Sequence, residues 1–211
     1  MKWEELVRLV GDDPIFSTGL LLSGGNPERQ IRIQLSRWVR AGRVHQLRRG
    51  LYVLAPPWRK VEPHPFLVSN RIRKGTYVSL QSALGWHGAI PEHVPVVTAV
   101  GPGRPETFET PLGLFQFQHL APSMCFGYSL IELAPRQSAF VAPAAKALLD
   151  LVHLTPRGDS LEFLRELRLQ NPNAFVDPPL GELARLAGKP KLLRAARHAM
   201  SLLEEDEGEL L

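Results

Sequence analysis

A short stretch of the sequence combines many arginines with no acidic residue. Residues 29–49 contain seven arginines, whereas a solvent-exposed surface normally mixes positive and negative side chains. Arginine binds phosphate groups and forms paired hydrogen bonds with the edge of guanine, and glutamine can bind adenine in the same manner. The stretch therefore predicts a nucleic-acid interface. Double-stranded DNA is the leading expectation, and RNA binding or a merely solvated basic face are the alternatives.

A helix is expected to position most of these arginines. Asn26 is a good N-cap residue, Pro27 suits the first helical position, and Gly42 can end the helix after about residue 41. The helix is therefore expected to begin at residue 27, just before the first arginine of the stretch.

The periodicity of this helix predicts which of its side chains are exposed. At about 100° per residue, the apolar residues form one stripe, made of Ile31, Leu35, Trp38 and Val39. Burial of that stripe leaves the arginines on the opposite side facing solvent. Ten residues are the DNA-binding candidates: Arg29, Gln30, Ile33, Gln34 and Arg37 are expected to face the bases, Arg40, Arg43, Arg48 and Arg49 the DNA backbone, and Arg32 completes the set.

The elements around the basic helix indicate a class of DNA-binding domain. Two shorter helices are expected at residues 3–10 and 18–23, and strand-like runs at 43–47 and 51–54 are joined through Arg48-Arg49-Gly50. Three helices followed by a β-hairpin predict a winged helix-turn-helix. In that arrangement the third helix enters the major groove and the hairpin, the wing, lies along the DNA backbone.

A proline-rich stretch at residues 55–65 predicts a domain boundary, so the expected domains are residues 1–58 and 59–211. The expected fold class is α+β: an N-terminal winged helix-turn-helix, then an α/β C-terminal domain with a small mixed sheet and terminal helices. In the second domain, runs rich in β-branched and aromatic residues between Gly and Pro breaks predict strands near residues 94–100, 107–110, 114–120, 128–133 and 139–141. Helices are expected near residues 66–73, from 79, and at 144–153, 160–169, 181–186 and 191–204.

Catalytic and metal-binding patterns are weak throughout the chain. The seven histidines form no recognisable metal-binding pair, and Cys125 is the only cysteine, so a thiolate cluster cannot form within the chain. The prolines of Gly101–Pro105 remove N–H donors that a phosphate-binding loop needs. Ser79 and Ser82 have no base at a diagnostic spacing. We therefore expect no enzymatic activity, no cofactor and no bound metal.

The charge is unevenly distributed along the 211 residues. The net charge is +4, with 11 basic and 5 acidic residues in positions 1–60 against 14 and 16 in positions 61–211. Apolar runs are far shorter than the roughly 20 residues that cross a bilayer, and the first residues are acidic where a signal peptide would be basic. We expect a cytoplasmic protein without a membrane partner.

Three stretches resemble the AbiEi-type antitoxins of type IV toxin–antitoxin systems and their relatives among transcriptional regulators. These stretches are Leu47–Tyr52, which resembles the wing of that family; Tyr77–Leu84 with His87-Gly88 and Ile90; and Ala142–Leu151. The resemblance covers roughly residues 10–155, and its middle stretch is the most specific. The family usually has glutamate immediately before the lysine of the third stretch, where this chain has Ala145.

The resemblance implies a division of labour between the two domains. The winged helix would repress its own operon, and the C-terminal domain would oppose a nucleotidyltransferase toxin of the same operon. Whether the protein binds DNA as a homodimer stays open. Two other functions are also left open: a stand-alone regulator whose C-terminal domain dimerises or senses a ligand, and an enzyme accessory that uses the winged helix for docking.

The residues of the resembling stretches also have ordinary structural interpretations. Lys146 and Asp150 have the i, i+4 spacing of an ion pair on a helix surface. Ser79 is positioned to cap the following helix, and Tyr77 and Trp86 are expected to be core aromatic residues.

Overall fold

The structure is a computed structural model and describes residues 1–22, 27–92 and 94–209. Asn26, the expected helix cap, lies outside the described residues. The architecture is α+β, which confirms the expected class. The expected helices and strands are present with their ends shifted by a few residues, and two short strands were not expected.

The described part of the N-terminal segment, residues 1–22 and 27–54, contains three helices and a three-stranded antiparallel sheet. Its elements are α1 (Trp3–Val10), β1 (Phe16–Ser17), α2 (Thr18–Leu22), α3 (Glu28–Arg40), β2 (Val44–Arg48) and β3 (Leu51–Leu54). Pro27 precedes α3 rather than forming its first turn. The unexpected strand β1 is only two residues long, too short to show an alternating pattern, and it pairs with β3 in the order β1-β3-β2.

The C-terminal segment, residues 65–209, contains a six-stranded mixed sheet and six helices among its described residues. Its elements are α4 (Pro65–Ile72), β4 (Tyr77–Val78), α5 (Leu80–Trp86), β5 (Val96–Gly101), β6 (Glu106–Thr110), β7 (Gly113–His119), β8 (Ser129–Ala134), β9 (Gln137–Val141), α6 (Ala144–Leu154), α7 (Leu161–Glu166), α8 (Leu180–Ala187) and α9 (Pro190–Glu209). The strand order is β6-β7-β5-β4-β9-β8. The pairs β4–β9 and β5–β7 are parallel, and the others are antiparallel.

Strand β4 is the second unexpected strand, and it joins the two halves of the large sheet. Tyr77 and Val78 pair with β5 on one side, and Val78 pairs with β9 on the other. Two residues cannot display a strand period, so the sequence gives no sign of this strand. Strand β4 lies in the middle of the sheet between β5 and β9, and α5 begins two residues after it. The position of β4 therefore sets the position at which α5 packs against α6.

Strand β3 of the expected wing is buried on both faces. Tyr52 and Leu54 pack into the core formed by α1, α2 and α3, while Leu51 and Val53 point the other way into a second cluster. The second cluster, called here the hairpin–sheet cluster, consists of Leu47, Leu51, Val53, Val68, Ile72, Ala99, Phe115 and Phe117. Because these residues come from both segments, the hairpin is held against α4 and the large sheet. The turn, Arg48–Gly50, and the exposed side chain of Gln46 in β2 are left at the surface.

The proline-rich stretch at residues 55–65 is anchored rather than extended as a spacer. The Trp58 ring meets the Trp3 ring edge to face, with centroids 5.2 Å apart. The buried side chain of Gln137 holds the other end, since its Nε2 donates to the Glu62 carbonyl at 3.0 Å and its Oε1 accepts from the His64 N–H at 2.8 Å. The expected boundary near residue 58 therefore lies within a packed region.

We predict that Phe115→Ala destabilises both segments together. The ring is fully buried in the hairpin–sheet cluster, and loss of such a ring costs about 3–5 kcal/mol of unfolding free energy. Three of the four tryptophans, Trp3, Trp38 and Trp58, belong to the N-terminal segment or pack against it. In chemical denaturation, tryptophan fluorescence and far-UV circular dichroism should shift together to lower denaturant concentration.

The matched control is Phe140→Ala, because Phe140 is exposed and should have a much smaller effect. A circular dichroism transition that shifts while the fluorescence transition stays in place would show that the two segments fold independently.

Candidate nucleic-acid interface

The exposed side of α3 carries most of the candidate residues. Ile31, Leu35 and Trp38 are buried against α1, α2 and the small sheet, as their spacing predicts. The opposite side is exposed and presents Arg29, Gln30, Arg32, Ile33, Arg37 and Arg40, whereas Gln34 is half-buried at its edge. This exposed set, without Gln34, is called here the basic face.

Three arginines of the basic face have no acidic partner. Among the residues that the structure describes, no carboxylate lies within ion-pair distance of Arg29, Arg37 or Arg40. An uncompensated row of guanidinium groups on one helix produces a positive surface potential that attracts polyanions. These three side chains are therefore free to bind phosphate or base edges.

Arg32 differs from its neighbours because it is paired. Its Nη2 lies 2.5 Å from Oε1 of Glu28, one helical turn earlier, and both side chains are more than half exposed. An exposed i, i+4 pair contributes only about 0.3–0.5 kcal/mol, so a phosphate group can replace Glu28 as the partner of Arg32 at little cost. The paired state lowers the net charge at the start of α3.

The three arginines beyond α3 are held in different ways. The guanidinium of Arg43 lies 5.3 Å from the Trp3 ring centroid and 5.7 Å from that of Trp58, and both are cation–π contacts. Arg48 is half-buried, and its Nη1 donates to the Arg49 carbonyl at 3.3 Å. Among these three, Arg49 at the hairpin turn is exposed, and its side chain makes no hydrogen bond, ion pair or cation–π contact with the described part of the chain. Arg43 thus has a structural role that spacing alone did not indicate.

The hairpin turn itself requires glycine. Gly50 has φ +80°, in the left-handed region that favours glycine, and it follows Arg49 directly. The Gly50 carbonyl accepts a 3.0 Å hydrogen bond from the Thr18 N–H at the start of α2. This bond ties the turn to the helices, so Arg49 is presented from a fixed position.

A second polar cluster lies inside the C-terminal segment, and it corrects the expected surface ion pair. Lys146 and Asp150 are 0% exposed, and the Lys146 ammonium donates to Asp150 Oδ1. Asp150 Oδ2 accepts from the Tyr77 hydroxyl at 2.9 Å and from the Ser79 hydroxyl at 2.8 Å. Lys146 Nζ also donates to the Tyr77 oxygen at 2.9 Å. We call these four residues the buried polar network.

The expectation of a surface pair was wrong because spacing predicts contact between Lys146 and Asp150 but not burial. Helix α6 is buried along most of its length, from Ala144 to Val152. Apart from these two residues, positions 144 to 152 contain only alanine, leucine and valine. A helix that is apolar on all sides belongs in the core of a protein. That composition is the signal that could have indicated a buried pair.

The protonation states of the network follow from its contacts. Burial raises the pKa of Asp150, and the hydrogen bonds and charge of Lys146, with Ser79 and Tyr77, oppose that rise. Burial and the neighbouring Asp150 carboxylate raise the pKa of the Tyr77 hydroxyl. Tyr77 therefore stays protonated at neutral pH and acts as a donor to Asp150.

Aromatic side chains cover the network. The Tyr128 ring stacks on the Tyr77 ring with centroids 4.2 Å apart, and the Phe126 ring centroid lies 5.0 Å from Lys146 Nζ. Ser79 and the other three residues have essentially no exposed surface. The hydroxyl of Ser79 is thus committed to a carboxylate acceptor in a closed interior, which is not the environment of an accessible nucleophile.

Two further expectations for this region are corrected. Ser79 occupies the N-cap position of α5 but makes no capping hydrogen bond, and its hydroxyl instead donates to Asp150. Trp86 is 45% exposed instead of lying in the core. Tyr77 is 1% exposed, which confirms it as a core aromatic residue.

Histidines in the described residues serve mainly as hydrogen-bonding residues. His64 Nδ1 accepts from the Phe66 N–H at 3.1 Å and so caps α4, and His87 Nε2 lies 2.9 Å from the Ala142 carbonyl oxygen. Within residues 1–22, 27–92 and 94–209, no group of three or more His, Cys, Asp or Glu side chains could hold a metal ion. No helix in these ranges has the length and apolar character needed to cross a membrane.

The comparisons with known proteins give no family assignment. No family model matches the chain, and no curated protein sequence matches it significantly.

We predict that Lys146→Met destabilises the protein by about 3–5 kcal/mol, because it leaves the Asp150 carboxylate buried without its cationic partner. The double variant Lys146→Met/Asp150→Leu should recover much of this loss, since neither charge is then buried. Urea denaturation followed by circular dichroism measures both effects.

The control is Arg194→Ala, which removes the partially exposed ion pair between Arg194 and Asp159, whose Nη2 and Oδ2 atoms lie 2.7 Å apart. It should cost less than about 1 kcal/mol. Equal losses for Arg194→Ala and Lys146→Met would contradict the burial of the network.

Proposed function

We propose that the protein is a sequence-specific DNA-binding transcriptional repressor that also acts as the antitoxin of a type IV toxin–antitoxin system. The observation that carries the DNA-binding part is the basic face of α3, with Arg29, Arg37 and Arg40 exposed and free of acidic partners. The proposal includes no enzymatic activity and no cofactor, and it assigns the protein to the cytoplasm.

The order of elements in the N-terminal segment supports a winged helix-turn-helix. Helix α3 follows α2 after a short connection and is itself followed by a β-hairpin, and β1 adds a third strand to that hairpin. In such domains the basic helix enters the major groove, whose width admits one α-helix. The hairpin would contribute its turn, through Arg49, while its strands stay packed on the large sheet.

The chemistry of the basic face fits base reading as well as phosphate binding. Arg29 and Arg37 lie on the face one helical turn before and after its centre, where bidentate hydrogen bonds to guanine O6 and N7 are within reach of a helix in the groove. Arg40 and Arg49 lie at the end of the helix and at the turn, positions suited to phosphate contacts. Arg43 is exposed and in cation–π contact with two tryptophans, so it would add to the positive surface potential from a restrained position.

The antitoxin part of the proposal depends on the resemblance to AbiEi-type antitoxins. Tyr77 and Ser79 come from its middle stretch, and Lys146 and Asp150 from its third stretch. These stretches are more than 50 residues apart in the chain, yet all four side chains meet in the buried polar network. The resemblance therefore covers a set of residues that pack as one unit. A nucleotidyltransferase toxin of the same operon is the proposed partner, and a stand-alone regulator is the outcome if no such gene is adjacent.

The first test is fluorescence anisotropy with duplex DNA from upstream of the gene and with a scrambled duplex, at several salt concentrations. Tighter binding to the upstream duplex, with a log–log salt slope of roughly −4 to −6 from about five or six phosphate contacts, is expected. Arg37→Glu should weaken binding to the upstream duplex by about 1–3 kcal/mol.

The matched control for this prediction is Arg197→Glu. It makes the same charge change at an exposed position of α9, outside the N-terminal segment. Equal weakening by both variants would indicate a non-specific charge effect, and equal affinity for both duplexes would exclude a sequence-specific repressor.

The second test separates the two proposed activities in the full-length chain. Arg29→Glu/Arg37→Glu should abolish repression of a reporter placed behind the upstream DNA, because both changes lie on the basic face. The same variant should still rescue growth when it is co-expressed with the adjacent nucleotidyltransferase, because the C-terminal segment is unchanged. Loss of rescue together with repression would contradict the division of labour.

A further inference from the structure

Ile33 is an apolar side chain in the middle of the basic face. It is 43% exposed, and Arg29 and Arg37 lie one helical turn before and after it. Isoleucine is a weaker helix former than the long polar residues that usually fill exposed helix positions, and its exposed surface gains nothing from water. Nothing in the N-terminal core requires an apolar residue here, because the stripe of Ile31, Leu35 and Trp38 is complete without it.

The neighbours of Ile33 define the kind of surface it could bind. It is the only apolar residue among those that line a shallow depression on the described surface of α3, together with Glu28, Arg29, Arg32, Ser36, Arg37 and Arg40. An apolar patch one side chain wide, surrounded by guanidinium groups, is too small for the core of a protein–protein interface. It fits a ligand that offers one small apolar group within a highly anionic surface.

Duplex DNA offers such a group in its major groove. The edges of the bases there consist of hydrogen-bond donors and acceptors, apart from the 5-methyl group of thymine. We propose that Ile33 contacts the 5-methyl group of a thymine and thereby makes the protein read thymine at one position of its site. This inference rests on the proposed DNA binding by α3, and it names the base that α3 recognises through apolar contact.

The helix geometry places arginines on both sides of that thymine. Four residues span about 6 Å along the axis, so Arg29 and Arg37 are separated by about 12 Å, with Ile33 between them. Base pairs stack at about 3.4 Å, so each arginine reaches bases within about two steps of the thymine. The recognised sequence is thus a thymine with guanine contacts close on either side, on one strand or the other.

The test compares two duplexes of the same upstream sequence, one with thymine and one with uracil at every thymine position. Uracil lacks only the 5-methyl group, so base pairing and phosphate charge are retained. Full-length protein should bind the thymine duplex at least about fourfold more tightly, the value expected for burial of one methyl-sized group. Ile33→Ala should bind both duplexes with nearly equal affinity.

The matched control is Leu9→Ala, since Leu9 is 42% exposed and lies on α1, away from the basic face. It should keep the preference for the thymine duplex. We expect Ile33→Ala to have the same thermal unfolding midpoint as the wild type, because the changed position is exposed. Such a midpoint would show that the variant is folded.

The remaining outcomes separate this inference from the proposed function. Equal binding of the two duplexes by the wild type, with the upstream sequence still preferred over a scrambled one, overturns the role of Ile33 and leaves the repressor intact. A thymine preference that persists in Ile33→Ala also overturns it, because the methyl groups then act through another residue or through DNA shape. No preference for the upstream sequence over the scrambled one overturns both.

Discussion

Burial of β3 on both faces is the constraint on which the arrangement of the molecule depends. Alternate side chains of this strand serve different cores: Tyr52 and Leu54 pack under α3, and Leu51 and Val53 pack on the large sheet. Successive side chains of a strand point to opposite faces, so β3 can contribute to two cores only because other elements cover both of its faces. The basic face is therefore fixed relative to the C-terminal segment, and the two segments share a core through β3.

The buried polar network plays a corresponding part inside the C-terminal segment. Removing a lysine and an aspartate from water is costly, and the cost is offset only when each charge is paired and its remaining hydrogen-bonding positions are filled. Here Tyr77 and Ser79 supply those bonds from β4 and from the residue that follows it, so the network connects the centre of the sheet to α6. Any other register of β4 would leave the carboxylate of Asp150 without two of its donors. The network thus specifies the position of a strand that is too short to be specified by its own pattern.

Much of the fold could be predicted from the sequence, and the exceptions have physical causes. Helix α3 was predictable because its apolar stripe and its arginines follow one period, and the candidate residues on its exposed side followed from that period. Strands β1 and β4 could not be predicted, because a strand of two residues is too short to show an alternating pattern. The burial of the Lys146–Asp150 pair and the cation–π contacts of Arg43 with Trp3 and Trp58 depend on contacts between distant segments, which local spacing does not contain. The packing of the hairpin on the large sheet was missed for the same reason, although the four consecutive apolar residues from Leu51 to Leu54 are a pattern typical of a strand covered on both faces.

The shared core has a consequence for a protein proposed to bind DNA with one half and a protein partner with the other. The contacts between the halves include the hairpin–sheet cluster and the anchored stretch at residues 55–65, where Gln137 holds the backbone at Glu62 and His64. A partner that displaced β5, β7 or β9 would therefore also displace the hairpin or that stretch, because closely packed side chains transmit such shifts rather than absorbing them. Such a displacement would reach Arg49 through the hairpin and the basic face of α3 through Tyr52 and Leu54. Regulation of the proposed DNA binding by the C-terminal segment would thus need no separate signalling element, because strand β3 of the N-terminal segment is also part of the core of the C-terminal segment.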